Sequence, residues 1–98
     1  MVDVSEVIGF EWDSGNETKN AKHGITCQHA EEVFSNTPLW IADDVAHSTA
    51  EERARAIGAT NDGLVLVVAF TLRAGGTKIR VISARLASRR ERMGYESL

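Results

Sequence analysis

Five arginines crowd the stretch 80–98, RVISARLASRRERMGYESL: Arg80, Arg85, Arg89, Arg90 and Arg92. A guanidinium group offers a rigid fork of N–H donors that matches phosphate or carboxylate oxygens two at a time. Ser88 and Glu91 have the spacing of a capping box, which places Arg89, Arg90 and Arg92 in the first turn of a helix. The helix dipole is already positive there, so each cation costs roughly 0.3–1 kcal/mol. A local rule broken three times points to a benefit elsewhere, such as RNA or another anion held at the helix start. The competing reading is a solvated helix whose charges pair locally, as Arg92 can with Glu96 at i, i+4. Arg80 and Arg85 extend the basic track along the preceding strand. Their odd spacing puts them on opposite faces of a regular strand. A bulge, or a strand that ends before Arg85, brings them together.

A second cluster is His47, Glu51, Glu52 and Arg53: an acid/base group, a carboxylate pair and a guanidinium within seven residues. These types can transfer protons near neutral pH. A short polar loop can have the same composition with no such role, and Ser48 with Glu51 has capping-box spacing too. Asp43, Asp44 and His47 match no standard metal-ligand pattern. Nothing calls for a cofactor: there is no Gly-rich phosphate loop, no CxxC and no nucleophile elbow. Cys27, at the start of a helix, reads as a packing residue, and His29, beside that helix's apolar face, as a structural one.

The elements that must position these groups follow from periodicity and turn chemistry. Val7–Trp12 reads as a first strand. Ser14 and Glu17 have capping-box spacing and open a helix that Gly24 ends, with Lys22 and His23 in its last turn. Thr26 caps a second helix, whose apolar face is Ala30, Val33 and Phe34 and which stops at Asn36 and Pro38. Leu39–Asp43 is a short strand and Asp44–Ala50 its loop. Glu52–Ala59 alternates, with Arg53, Arg55 and Ile57 on one face and Ala54, Ala56 and Gly58 on the other. Asn61-Asp62-Gly63 is a hairpin turn. Leu64–Leu72 is apolar almost throughout and belongs mid-sheet. Gly75-Gly76 leads into Lys78–Leu86, and the basic helix follows. The expectation is a single α+β domain over residues 1–98, in the order β-α-α-β-β-β-β-α. Two helices cover one face of a curved antiparallel sheet.

Charge is split along the chain. Residues 1–52 hold 11 acids against 2 lysines, and residues 53–98 hold 9 Lys and Arg against 3 acids, within a net charge of −3. Either the basic half meets a polyanion or the two halves face each other. No stretch is apolar enough to span a bilayer and the acidic N-terminus lacks a signal-peptide pattern, so a cytoplasmic protein is expected.

Five stretches in order, FEWD (10–13), KHGI (22–25), HSTAEER (47–53), IG (57–58) and RVISARLASRRERMGYE (80–96), resemble the BrnT toxins of type II toxin–antitoxin systems. The family often has VVFT in its central strand where this chain reads Val67-Val68-Ala69-Phe70-Thr71. The resemblance implies a RelE-like fold and a metal-independent ribonuclease that blocks translation. It also implies a BrnA-type antitoxin with a ribbon-helix-helix domain, two toxins on an antitoxin dimer, and contact with operator DNA only through the antitoxin. RelE-like enzymes often use Lys, Arg and Tyr, which makes Arg80 and Arg85 the phosphate-stabilising groups, with Lys22 or His23 near them. Glu51 with His47 would supply the acid and base, Tyr95 would stack on a base or lend its hydroxyl, and Arg53, Arg89 and Arg90 would guide the RNA backbone. The alternative is a non-catalytic RNA- or partner-binding module of the same fold.

Overall fold

The computed structural model describes residues 2–21, 24–48 and 50–98. The elements run β1 (Gly9–Phe10), α1 (Ser14–Ala21), α2 (Cys27–Ser35), β2 (Trp40–Asp43), β3 (Arg53–Ala59), β4 (Val65–Arg73), β5 (Lys78–Leu86) and α3 (Arg89–Glu96), with one 3-10 turn at Val45–His47. The element order is the expected one. The sheet order is β1-β5-β4-β3-β2, with the apolar β4 in the middle as expected.

One expectation is corrected. The sheet is mixed rather than wholly antiparallel, because β1 is two residues long and runs parallel to β5. The Ile8 N–H donates to the Thr77 carbonyl (2.8 Å) and the Glu11 N–H to that of Ile79 (2.8 Å). Tight turns force antiparallel pairing only between successive strands. β1 is separated from its neighbour by most of the chain, so no turn dictates its direction.

Helices α1 and α2 lie on one face of the sheet. Beneath them Leu66, Val68 and Phe70 of β4 and Ile79 and Val81 of β5 are fully buried, with Ala54 and Ala56 of β3. Phe34 packs edge-to-face on Phe10 and Phe70, at centroid distances of 5.6 and 5.1 Å. Gly58 lets α2 approach closely: a Cβ there would stand 2.9 Å from Val33 Cγ1 and 3.1 Å from its carbonyl oxygen. Thr26 caps α2 as expected. Its Oγ1 accepts from the His29 N–H, and the His29 ring accepts from the Thr26 N–H, so His29 is a capping residue.

The cap of α1 is shifted by one residue from the expected Ser14/Glu17 pair. Asp13 Oδ1 accepts from the N–H groups of Gly15 (2.9 Å) and Asn16 (3.1 Å), and the Asp13 N–H donates to Asn16 Oδ1 (2.7 Å). A carboxylate one position earlier displaces the serine from the cap. Asn16, 5% exposed, also donates its side-chain N–H to the carbonyls of Glu11 (3.0 Å) and Val81 (3.1 Å).

The Val81 contact falls at a break in the ladder. Ala69 pairs with Ser83 and Phe70 with Val81, leaving Ile82 as an extra residue in β5. This is a β-bulge, and Asn16 bonds the carbonyl beside it. Asn16→Ala should lower unfolding stability by about 1–3 kcal/mol, because that buried carbonyl loses its partner. Urea titration measures this, and a loss below about 0.5 kcal/mol would show that the bulge is held by other contacts.

Candidate nucleic-acid interface and its cleft

The bulge decides which face the arginines share. In β5, Arg80 pairs with Thr71 and Arg85 with Val67; in β3, Arg53 pairs with Thr71, Arg55 with Ala69 and Ile57 with Val67. Directly opposed residues share a face, and so do positions an even number apart. Thr71, Ala69 and Val67 therefore place Arg53, Arg55, Arg80 and Arg85 together, on the face turned away from α1 and α2. Without the extra residue, Arg80 and Arg85 would point to opposite faces.

At one end of this face lies a polar cleft of about 260 Å³, lined by Asn16, Glu51, Arg53, Thr71, Arg73 and Arg80 among others. Charge alternates through it. Arg80 Nη1 lies 2.8 Å from Asp13 Oδ2 and 3.2 Å from Glu11 Oε1. Arg73 Nη1 lies 3.7 Å from the same Glu11 oxygen, and Arg73 Nη2 donates to Glu51 Oε1 at 3.0 Å. Arg73 Nε stands 2.6 Å from Glu51 Oε2, but its N–H is not aligned on that oxygen, so the contact is ionic rather than hydrogen-bonded. The Arg80 hydrogen bond, and then the Asn16 N–H, hold the Asp13 carboxyl below the usual carboxylate range, and Asp13 in turn raises the Arg80 guanidinium. Thr71 Oγ1 donates to the Glu52 carbonyl (2.7 Å), fixing the bend that carries Glu51. Arg53 makes no ion pair with any described carboxylate.

At the other end of the face sits α3. Arg85 grips Glu91 through two bonds, 2.7 and 3.0 Å, while the Glu91 carboxylate also accepts the Ser88 N–H (2.8 Å) and Ser88 Oγ accepts the Glu91 N–H. The capping box is the expected one. Arg85 first, and the Ser88 N–H second, pull the Glu91 pKa down to about 2. Tyr95 is buried and its hydroxyl donates to the Pro38 carbonyl. Arg89, Arg90 and Arg92 are exposed, with Arg92 3.6 Å from Glu96.

The structure thus brings Glu51, Arg53 and Arg80 into one cleft, and sets Arg85, Arg89, Arg90 and Tyr95 at the α3 end. His47 does not line the cleft: its Nδ1 lies 3.0 Å from Asp44 Oδ1 and its side chain is 70% exposed. That contact holds Asp44 below the usual carboxylate range. Ser48 does not cap a turn toward Glu51. Its hydroxyl donates to the Asp44 carbonyl and accepts the Arg53 N–H, lacing the loop to the start of β3. Lys22 and His23 lie outside the described residues. Among the described residues no three His, Cys, Asp or Glu side chains converge as a metal cage. Burial raises the Cys27 thiol, as suits a packing residue.

Sequence reasoning missed Arg73, Glu11, Asp13 and Asn16. Arg73 alone carried a readable signal, since counting by twos along 65–73 puts it on the Thr71 face.

Fold and cleft together define the class: an α+β domain that gathers arginines on one open sheet face around a carboxylate, as a protein that handles polyanions does. The family model described as "Ribonuclease toxin, BrnT, of type II toxin-antitoxin system" matches residues 12–91. The chain belongs to this family of ribonuclease toxins, which implies an RNA substrate and an antitoxin partner. Comparison with curated proteins finds no significant match. No helix among the described residues is long and apolar enough to cross a membrane.

Glu91 gives α3 a defined acid sensitivity. Its folded pKa lies below its free value of 4.5. The stability it contributes is therefore complete above that value and disappears as pH falls toward about 2. The shift corresponds to roughly 2–3 kcal/mol after a discount for the half-exposed Arg85. In urea titrations, Glu91→Gln should be less stable than wild type at pH 7 by about this amount, and the gap should close as pH approaches 2. A gap that stays constant with pH would show that the variant loses packing rather than charge.

Proposed function

We propose that the chain is a metal-independent endoribonuclease of RelE-like fold, working on RNA laid across the open sheet face and thereby inhibiting translation. The observation that carries this reading is the cleft, in which one carboxylate, Glu51, sits among Arg53, Arg73 and Arg80. RNA cleavage without a metal needs a base for the 2′-OH, cations for the charge that builds on phosphorus, and an acid for the leaving 5′-oxygen. Glu51 takes the 2′-OH proton, the 2′-oxygen bonds to phosphorus, and the bond from phosphorus to the 5′-oxygen breaks. Arg73 and Arg80 exchange their present carboxylates for phosphate oxygens. The Arg73–Glu51 pair is half-exposed, and such pairs are worth about 1 kcal/mol or less, so that exchange is cheap. The proton for the 5′-oxygen comes from Lys22 or His23, since His47 is bonded to Asp44 and does not line the cleft. Arg53 and Arg85 hold flanking phosphates, and Arg89 and Arg90 guide the strand past α3, where Tyr95 fixes the helix.

In this reading the toxin is neutralised by a BrnA-type ribbon-helix-helix antitoxin, two toxins ride on an antitoxin dimer, and operator DNA is met only through that partner. The setting is cytoplasmic.

The decisive assay is RNA cleavage in EDTA. Wild type should cut, and Glu51→Gln, Arg73→Ala and Arg80→Ala should each slow single-turnover cleavage by about 10²-fold or more. Activity that vanishes with chelator and returns with Mg²⁺ would sink the metal-free mechanism. Salt-dependent RNA binding with no cleavage products would instead make the chain a binding module.

A separate measurement concerns α3. Replacing Arg89 and Arg90 together with Gln should flatten the slope of log K for RNA against log salt by about one to two units, each lost single-strand phosphate contact contributing about 0.7. An unchanged slope would take these arginines out of the RNA path.

A further inference from the structure

The same open face carries a second concavity that the proposed cleavage chemistry does not use. It is a groove of about 390 Å³ between the β2 edge of the sheet and α3, lined by Trp40, Ile57, Arg90, Gly94, Tyr95 and Leu98 among others. Trp40 pairs with Ile57, which pairs with Val67, so all three side chains share the arginine face. Trp40 is 43% exposed and Leu98 66%, and β2 is the outermost strand. Ile57 is four positions along β3 from Arg53, so the groove sits roughly 13 Å along the strand from the cleft.

Its floor is apolar and its polar members are spoken for, with one exception. Glu91 is held by Arg85 and Ser88, and the Tyr95 hydroxyl by Pro38. Arg90 makes no ion pair with any described carboxylate, and Arg89 beside it is likewise exposed. An apolar slot with the free Arg90 guanidinium at its rim fits a side chain that is apolar, carried on a segment that is acidic. Single-stranded RNA has flat bases for the slot, but its stacking partner would be the one aromatic with an exposed face, Trp40, since Tyr95 is buried. A protein segment can fill the whole slot and pair with Arg90 at once.

We infer that this groove is the anchor site for the antitoxin: an amphipathic acidic segment of the partner inserts an aliphatic or aromatic side chain between Trp40 and α3 and pairs a carboxylate with Arg90. The inference rests on the toxin–antitoxin reading and adds where the partner engages. One groove does not make a stable complex, which needs about 1,200–2,000 Å² of buried surface, so it supplies the central anchor of a larger contact. Because Arg90 also stands beside the proposed RNA path, the docked segment competes with RNA there without touching Glu51.

Gly94 provides the test. It lines the groove, and a Cβ added to it meets nothing within 4 Å. Gly94→Leu therefore fills the slot, and it also replaces a glycine inside a helix, which should leave α3 as stable or more stable. Wild type, Gly94→Leu and Leu98→Lys are each titrated with the purified protein encoded beside the toxin gene, and are assayed alone for thermal unfolding and RNA cleavage. The expected result is a wild-type or higher melting temperature and unchanged cleavage, with affinity for the partner reduced at least 10-fold in both variants. Adding Arg90→Glu to the binding series should reduce affinity further, and the wild-type complex should weaken with salt. Wild-type affinity in both Gly94→Leu and Leu98→Lys overturns the inference. So does a toxin that self-associates by light scattering and becomes monomeric on Gly94→Leu, since the groove would then belong to a second copy. Tight RNA binding lost in Gly94→Leu while partner affinity holds would assign the slot to a base. If wild type neither cleaves RNA nor binds the neighbouring protein, it is the toxin reading that fails, and the inference with it.

Discussion

The open face depends on one extra residue in β5. With Ile82 inserted, Arg80 and Arg85 look the same way; with a regular strand they would be split between the core and the solvent. A bulge breaks the ladder beside it, and here Asn16 of α1 bonds the Val81 carbonyl at the break. Asn16 is in turn placed by the cap it shares with Asp13, and Asp13 is bonded to Arg80. Helix start, sheet irregularity and the cleft's cation are therefore one connected structure. A buried amide bonded to two carbonyls sits in a nearly dry setting, where an unmet polar group is costly. The bulge thus belongs to the same cooperative unit as the core, and the face inherits that rigidity.

The charge split along the sequence resolves differently at the two ends of the face. At the cleft, the acids of the N-terminal half do meet the arginines of the C-terminal half: Glu11, Asp13 and Glu51 bracket Arg73 and Arg80. At α3 the pairing is local, from Arg85 to Glu91 and from Arg92 to Glu96. Arg89 and Arg90 are left over. The reading in which the two halves face each other therefore holds at the cleft, while Arg89 and Arg90 have no such partner among the described residues. The cleft pairs also have a physical consequence. Half-exposed carboxylates hold guanidinium groups in position at little energetic depth, so a phosphate, with more charge and more acceptor oxygens, can take them over without rebuilding the site.

Most of the fold was legible because it is written in local patterns. The alternation over 52–59, the apolar run 64–72, the Asn61-Asp62-Gly63 turn and the Thr26 and Ser88 caps all act over a few residues, and the structure forms β3, β4, the turn and both caps there, within a residue at each end. What escaped was non-local. The direction of β1 is decided by a partner almost seventy residues away, and no turn announces it. Asp13 with Asn16 and Ser14 with Glu17 offer the same cap spacing, and what sets the first pair apart is the non-local bond from Asn16 to the Val81 carbonyl. At the site, Glu51, Arg53 and Arg80 were identified by residue type and do converge. Arg73 stands apart from any cluster in sequence, whereas the cleft is a cluster in register. His47 illustrates the converse error. Neighbours in sequence, His47 and Glu51 are turned to different partners, Asp44 and Arg73, by a loop that Ser48 ties down.

The crowded helix start now has a physical reading. Glu91 is the only acid in the first turn of α3, and it is already committed: it caps the helix, neutralises Arg85 and fixes α3 to the sheet. It has no capacity left for Arg89 and Arg90. Moving an acid into either position would relieve the dipole and the crowding of cations, so the sequence carries a local cost that this chain alone does not recover. In the proposed reading that cost is offset in a complex, where the partner's or RNA's anionic groups meet the free guanidinium groups. RNA and an acidic protein segment both supply such groups, but only one can occupy that position at a time. A ribonuclease held in check by competition at Arg90 would need no change in its cleft, and release of the partner would leave Arg73, Arg80 and Glu51 already in place.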